Sequence, residues 1–232
     1  NEEEKNNINF DFNNNIVIKN VFFKYLNENS PVLNDISFEI KKGDYVGLIG
    51  KSGSGKSTLA DIILGLLYPN EGQILVDNKN INTNLKSWQK KIGYVPQTVY
   101  FTDDTLESNI AFGLPEEKID RKKLSEAIDK AQLIDLIKKI PNGTKTMMGE
   151  FGHNLSGGER QRIGIARAYY NDPEIIFFDE ATVSLDFETE KNIFETILNL
   201  KNKKTIIVVT HKTELLSDAN KIIKLENGKI ST

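Results

Sequence analysis

The sequence predicts an α/β fold with a mostly parallel sheet, an N-terminal antiparallel β subdomain and a helical insertion. Three observations predict it. An apolar run, Tyr45 to Ile49, breaks into the glycine-rich stretch Gly50-Lys51-Ser52-Gly53-Ser54-Gly55-Lys56-Ser57-Thr58 and then into the apolar-periodic run Leu59 to Leu67, which reads strand, loop, helix. Further on, the continuous apolar runs Ile175 to Phe178 and Ile206 to Val209 alternate with helical patterns, as in a parallel sheet covered on both faces. Between Trp88 and Gly158 the pattern is mostly helical, with apolar spacing at Leu124, Ile128, Ala131, Leu133, Leu136 and Ile137 and with Pro96, Pro115 and Pro141 as punctuation.

The elements follow in order. Residues 1–15 are polar, acidic and Asn-rich and begin without methionine, so they read as a flexible segment ahead of a domain at 16–232, in a chain that starts mid-protein. Ile16-Val17-Ile18, Val21-Phe22-Phe23 and Ile36 to Ile40 are short and β-rich, predicting an opening antiparallel sheet to which Gly72 to Asp77 returns. The helical subdomain is expected at about 98–160. Glu159 to Tyr170 is a helix stopped by Asn171-Asp172-Pro173, and Glu188 to Leu200 is a second. Ile222 to Ile230 carries Glu226-Asn227-Gly228-Lys229 at its centre, a hairpin turn.

Composition narrows the function. At 232 residues and 38% apolar content a sizeable core is available, while a net charge of −3 offers no basic field for wholesale nucleic-acid binding. With no cysteine and only His153 and His211, neither a disulfide framework nor a zinc centre is supported. No apolar run approaches the roughly 18 residues that cross a bilayer, so the chain as given reads as soluble. The triplets Asn142-Gly143-Thr144 and Asn154-Leu155-Ser156, without a secretion signal, read as accidental glycosylation look-alikes.

Three stretches carry chemistry. The Gly50–Thr58 loop fits the phosphate-binding pattern, in which glycines let successive N–H groups and the positive helix end surround a phosphate, Lys56 adds charge and Ser57 a hydroxyl for Mg²⁺. The apolar run ending in Asp179-Glu180 delivers two acids to the sheet edge where α/β folds hold ligands; Asp179 would hold Mg²⁺ and Glu180 would orient an attacking water, a solvated acidic strand end being the alternative. Leu155-Ser156-Gly157-Gly158-Glu159-Arg160-Gln161-Arg162 also opens a helix and offers a second anion site, or no more than an N-cap with flexible glycines. His211 follows an apolar strand and so emerges at the same edge as Asp179.

These motifs, in this order and spacing, resemble the nucleotide-binding domain of ATP-binding cassette (ABC) proteins over nearly the whole chain. The resemblance implies a P-loop NTPase core of the RecA-like type, ATP and Mg²⁺ as ligands, and Mg²⁺-dependent hydrolysis. It adds Gln97 in Gly93-Tyr94-Val95-Pro96-Gln97 as the Q-loop residue touching the metal, Ser184-Leu185-Asp186 as the D-loop, His211 as the switch histidine, and Tyr25 as the aromatic against adenine. On their own, a strand tyrosine and a loop glutamine are more often structural. The resemblance also explains two anion sites: two copies would pair head to tail, with Ser156, Gly157 and Gly158 of one closing on the γ-phosphate held by Lys56 of the other. The chain departs from the family pattern at Val183, at Glu159 where Gln is commoner, and at Lys212-Thr213 after the histidine, without removing a catalytic group.

Within the family, Thr146 to Gly152 and Tyr100 to Ile110 resemble ABC exporters, with Glu150 facing a transmembrane partner expected upstream on the same polypeptide. That places the domain at the cytoplasmic face of the inner (plasma) membrane, its Gln97 loop and Glu150 region meeting the transmembrane domain. Gly55 to Asp61, Gly65 to Pro69 and Ser87 to Tyr94 look closest to flippases for lipid-linked oligosaccharides, with peptide, lipid or drug exporters as alternatives. A soluble ABC ATPase of DNA repair or translation would carry a long coiled coil or a second cassette, and the sequence shows neither. A regulatory module without turnover is disfavoured by Glu180 and His211.

Overall fold

The computed structural model describes residues 9–26, 28, 30–149, 155–181, 187–201 and 203–231. In chain order it contains β1 (Asn15–Phe23), β2 (Leu33–Lys41), β3 (Tyr45–Gly50), α1 (Lys56–Ile63), β4 (Glu71–Val76), β5 (Lys79–Asn80), α2 (Leu85–Gln89), β6 (Ile92–Val95), α3 (Leu106–Ile110), α4 (Arg121–Lys130), α5 (Ile134–Lys139), α6 (Gly157–Tyr169), β7 (Ile175–Asp179), α7 (Phe187–Leu200), β8 (Thr205–Val209), β9 (Lys221–Glu226) and β10 (Lys229–Ser231). They fall into two compact units, residues 1–92 with 201–232, and residues 93–200.

The first unit holds an antiparallel sheet, β2-β1-β4-β5, and the ladder β10-β9-β3-β8. The three short runs expected at the start become two long strands: β1 spans both 16–18 and 21–23, with its register against β2 shifting between Ile18 and Val21 where Asn20 takes φ 48. A second register shift follows between Val21 and Phe23, beside Asp35 of β2 at φ 54, and the two irregularities re-aim the strand without ending it. In the ladder β3 runs parallel to β8 (Tyr45↔Ile206, Leu48↔Val209) and to β9 (Val46↔Lys221), and β9 turns back antiparallel as β10 (Lys229↔Glu226), the predicted hairpin. Val46, Leu48 and Ile206 to Val209 are buried, as continuous apolar runs require.

Two expectations need correction. The helix after the glycine loop does not reach Leu67: α1 stops at Ile63, Gly65 takes φ +70, and Leu66 is 60% exposed. The flexible segment does not extend to residue 15 either. Phe10 and Phe12 are buried, Phe10 meets the Trp88 ring edge-on at 6.4 Å, and its N–H donates to Ser87 Oγ. The N–H groups of Asn13, Asn14 and Asn15 all donate to the Asp77 carboxylate; burial pushes that carboxyl up, and these bonds reverse the push and hold it below its ordinary range. Asparagine richness disguised two core phenylalanines, each worth about 1.5–3 kcal/mol when buried.

In the second unit β6 and β7 are hydrogen-bonded neighbours and the remaining elements are helices. The expected helical stretch thus opens on a strand, Ile92 to Val95. Of the apolar positions read from the sequence, Leu124, Ile128, Ala131, Leu133 and Leu136 are buried while Ile137 is only half-buried, and Ala127 joins the buried set. Phe177 and Phe178 lie fully inside β7, and Ile163, Ile165 and Ala166 bury one side of α6.

Candidate functional site

Strand β3 ends where the glycine loop begins, and the loop closes on its own lysine. Lys56, the first residue of α1, is buried, and its Nζ donates to the carbonyls of Gly50 at 2.8 Å and Lys51 at 3.2 Å. The ammonium thereby ties the end of the loop back to its first two carbonyls and fixes the curvature between them. Gly53 (φ +77) and Gly55 (φ +102, the N-cap of α1) give this path a handedness that side-chain-bearing residues resist. Ser54 is buried and its Oγ has no hydrogen-bond partner, an orphan polar atom at an anion cradle.

The C-terminal hairpin forms a wall of the loop. A cleft of about 290 Å³ is lined by Lys51 to Ser54 together with Leu225, Glu226 and Asn227, and the Gly228 N–H donates to the Ser54 carbonyl. Lys224, at 2.6 Å, holds the Glu226 carboxyl below its ordinary range, with Lys51 adding to the effect. Sequence reading found this hairpin but not its proximity to the loop, because the contact joins residues distant in the chain.

Tyr25 reaches the same helix. Its ring, 41% exposed, stands edge-on to Phe23 at 4.9 Å, and its hydroxyl shares a hydrogen bond with Thr58 Oγ1 at 3.2 Å. His211 lies two residues past Val209, which pairs with Leu48, as Gly50 lies two past Leu48; the parallel register brings His211 to the strand edge where the loop begins. His211 is exposed, in a turn closed by the Lys212 N–H donating to Thr210 Oγ1 at 3.0 Å.

The second unit carries the acids and the other glycine element. Asp179 ends β7 and accepts a hydrogen bond from the Tyr94 hydroxyl at 3.0 Å, a partner that sequence reading missed across 85 residues. Glu180 takes φ +48, left-handed for a residue with a side chain. Such conformations cost about 1–3 kcal/mol and collect at functional sites. Gln97 is exposed in a bend two residues after β6. Ser156 caps α6 in a reciprocal box: its Oγ accepts from the Glu159 N–H at 3.2 Å, while Glu159 Oε2 accepts from the Ser156 N–H at 2.8 Å and stands 2.9 Å from its Oγ. The capping reading of this element is realised, and Gly157 and Gly158 form its first turn. Asp186, the rest of the expected D-loop, His153 and Glu150 lie outside the described residues.

In the first unit Ser57 offers a hydroxyl; in the second Gln97 offers an amide oxygen and Asp179 a carboxylate. These are hard oxygen donors that suit Mg²⁺, which keeps several waters and phosphate oxygens in its octahedron. Among the described residues no three carboxylate or imidazole groups gather into a cage of their own.

Known proteins resemble this chain in sequence and fold. The sequence profile of the family described as ABC transporter matches residues 33–183. The ATP-dependent lipid A-core flippase of Cupriavidus metallidurans is 38% identical over 218 residues, 93% of this chain and 37% of that protein. The flippase of the same name from Saccharophagus degradans is 40% identical, covering 93% of this chain and 36% of that protein. The alpha-hemolysin translocation ATP-binding protein of Escherichia coli O157:H7 is 38% identical, covering 93% and 30%. Among solved structures, a bacterial Atm1-family ABC exporter with ATP bound superposes with a TM-score of 0.87 at 34% identity, over 97% of this chain and 39% of that one. The chain spans between 30% and 37% of the length of these relatives.

Proposed function

This chain belongs to the ABC transporter family, and from that premise we propose that it is the ATP-hydrolysing engine of an exporter, pairing with a second copy of itself around two ATP molecules. The observation that carries the reading is the glycine loop wound on buried Lys56 beside the orphan Ser54 hydroxyl. It is a cradle for anionic oxygens with a cation already in place.

In the proposed reaction the loop N–H groups and Lys56 hold the β- and γ-phosphates, and Tyr25 offers its ring face to the adenine. Ser57, Gln97 and Asp179 would hold Mg²⁺, which when bound neutralises charge on the phosphate oxygens. Glu180 orients a water and draws its proton as the water oxygen bonds to the γ-phosphorus; the bond to the β,γ-bridging oxygen breaks and ADP leaves with that electron pair. His211 steadies the γ-phosphate from the edge it shares with the loop. Ser156, Gly157 and Gly158 of the second copy close over that phosphate, and Asp186 meets the same interface. Hydrolysis removes the shared ligand and loosens the pair.

Coupling to export rests on a transmembrane domain, met through the Gln97 loop and the Glu150 region at the cytoplasmic face of the membrane. No helix among the described residues is long and apolar enough to cross a bilayer. Among the described residues between the glycine loop and α6, helices α3, α4 and α5 have 5, 10 and 6 residues and form no long coiled coil, which favours an exporter over a repair ATPase. Cargo is a separate matter. Identity is 38% both to a lipid A-core flippase and to a toxin translocator, so this domain does not choose between a lipid-linked glycan and a peptide.

The test is Glu180→Gln. It should retain ATP, trap a dimer visible by light scattering and lose about 10²-fold or more in turnover, the usual size of a general-base contribution. Undiminished phosphate release from that variant would remove Glu180 from the mechanism.

A further inference from the structure

The Gln97 bend is strapped along one face of α6. Gln161, Gly164, Arg167 and Ala168 recur at helical spacing and share a side. A Cβ on Gly93 would lie 2.3 Å from the Ala168 carbonyl, so the chain leaving β6 starts tight against the far end of the helix. Three residues later it has travelled toward the signature end, where Gln161 Nε2 donates to the Pro96 carbonyl at 3.0 Å. The chain bends at Gln97 and Thr98 and returns: a Cβ on Gly164 would meet Val99 Cγ2 at 2.6 Å, and Arg167 Nη1 donates to the Tyr100 carbonyl at 2.9 Å. Arg167 also donates to the Asn109 carbonyl at 2.8 Å, tying down the next segment. Gln97 is thus the apex of a reversal whose two legs lie on one helix.

We propose that Gln161 is the positioning residue for Gln97. The Pro96 carbonyl and the Gln97 N–H belong to one planar peptide, so a donor that fixes the carbonyl fixes the direction in which Gln97 leaves the chain. Gln161 is buried and holds that carbonyl, whereas Gln97 itself is exposed. The helix that begins at Ser156, facing the second copy's nucleotide, therefore sets the residue that serves this copy's own metal. A displacement of α6 on pairing moves Gln97 with it. The proposal rests on the reading of Gln97 as a metal and water contact and gives that residue its support.

Gln161→Met keeps length and removes the donor. In the 232-residue chain, amide hydrogen exchange at 97–100 should quicken in Gln161→Met, and turnover at saturating ATP should fall about tenfold, the upper range for one hydrogen bond, with KM for ATP held within about twofold. Gln97→Ala should be slow as well, and adding Gln161→Met to it should cost less than about twofold more, because a residue acting through Gln97 has nothing left to position. Unchanged exchange overturns the strap itself, and a full tenfold further loss in the double variant assigns Gln161 a general structural role instead. If Gln97→Ala turns over like the parent while exchange does quicken in Gln161→Met, the metal reading of Gln97 is wrong and the positioning role falls with it.

Discussion

Alanine placed at Gly53 and at Gly55 separates backbone strain from steric fit in the phosphate loop. Both positions have positive φ, +77 and +102, but an added Cβ at Gly53 meets nothing within 4 Å. At Gly55 it would lie 2.8 Å from Leu33 Cδ2 and 2.9 Å from the Val32 carbonyl, a backbone atom that cannot rotate away. Left-handed alanine costs about 1–2 kcal/mol, partly offset by roughly 0.4–1 kcal/mol from a stiffer unfolded chain, so Gly53→Ala should lose about 1 kcal/mol or less. Gly55→Ala adds overpacking of about 1–3 kcal/mol, for a total near 2–4 kcal/mol. Trp88 is the single tryptophan and its Nε1 donates to the carbonyl of Ile63, the last residue of α1, so its fluorescence in urea follows the affected helix. With a slope of about 2–3 kcal/mol/M, the midpoint should fall by about 1 M for Gly55→Ala and by less than half that for Gly53→Ala. Equal shifts would refute the steric argument, since the two sites would then differ only in φ.

For Tyr25, a ring that stacks on the base predicts that Tyr25→Ala weakens nucleotide binding about 2- to 10-fold while Tyr25→Trp does not, read by titration with a fluorescent ATP analogue. Equal affinities would leave Tyr25 as packing for Phe23 and a partner for Thr58. Acid should unsettle the second unit through Glu107. Burial pushes this carboxyl up, but the Arg121 and Thr144 hydrogen bonds, both 2.7 Å, hold it below its ordinary range. A depressed folded-state pKa contributes stability that is present above about pH 4.3 and is lost as pH falls through the folded value. Thermal melts from pH 7 to pH 3 should therefore decline less steeply for Glu107→Gln, and parallel curves would discount the pair.

What was legible in the sequence is what lies close together in it. The glycine loop, the acid pair ending β7 and the cap of α6 each occupy a few consecutive residues whose chemistry depends on local backbone geometry, so they could be read one at a time. The runs at 175–178 and 206–209 became strands because burial on both faces demands continuous apolar sequence. What escaped was carried by side chains meeting across the fold. Tyr94 on Asp179, Tyr25 on Thr58 and Gln161 on Pro96 are 85, 33 and 65 residues apart, and a hydrogen bond leaves no periodic trace in either partner's neighbourhood. Phe10 and Phe12 escaped for a related reason, since two apolar residues among asparagines form no period to recognise.

Two candidate site residues, Glu180 and Ser156, are held in arrangements that the fold alone would not choose. Glu180 keeps a left-handed backbone at a strand end where any extended conformation would cost less. Ser156 offers its N–H to a carboxylate, Glu159, so the anion site proposed at the head of α6 already has an anion on it. A phosphate arriving there competes with a tethered charge and meets repulsion from it, whereas a glutamine in the same place would cap through a neutral oxygen. In the proposed pairing, closure on a second copy would draw on Lys56 and the glycine-loop N–H groups of that copy as well as on Ser156.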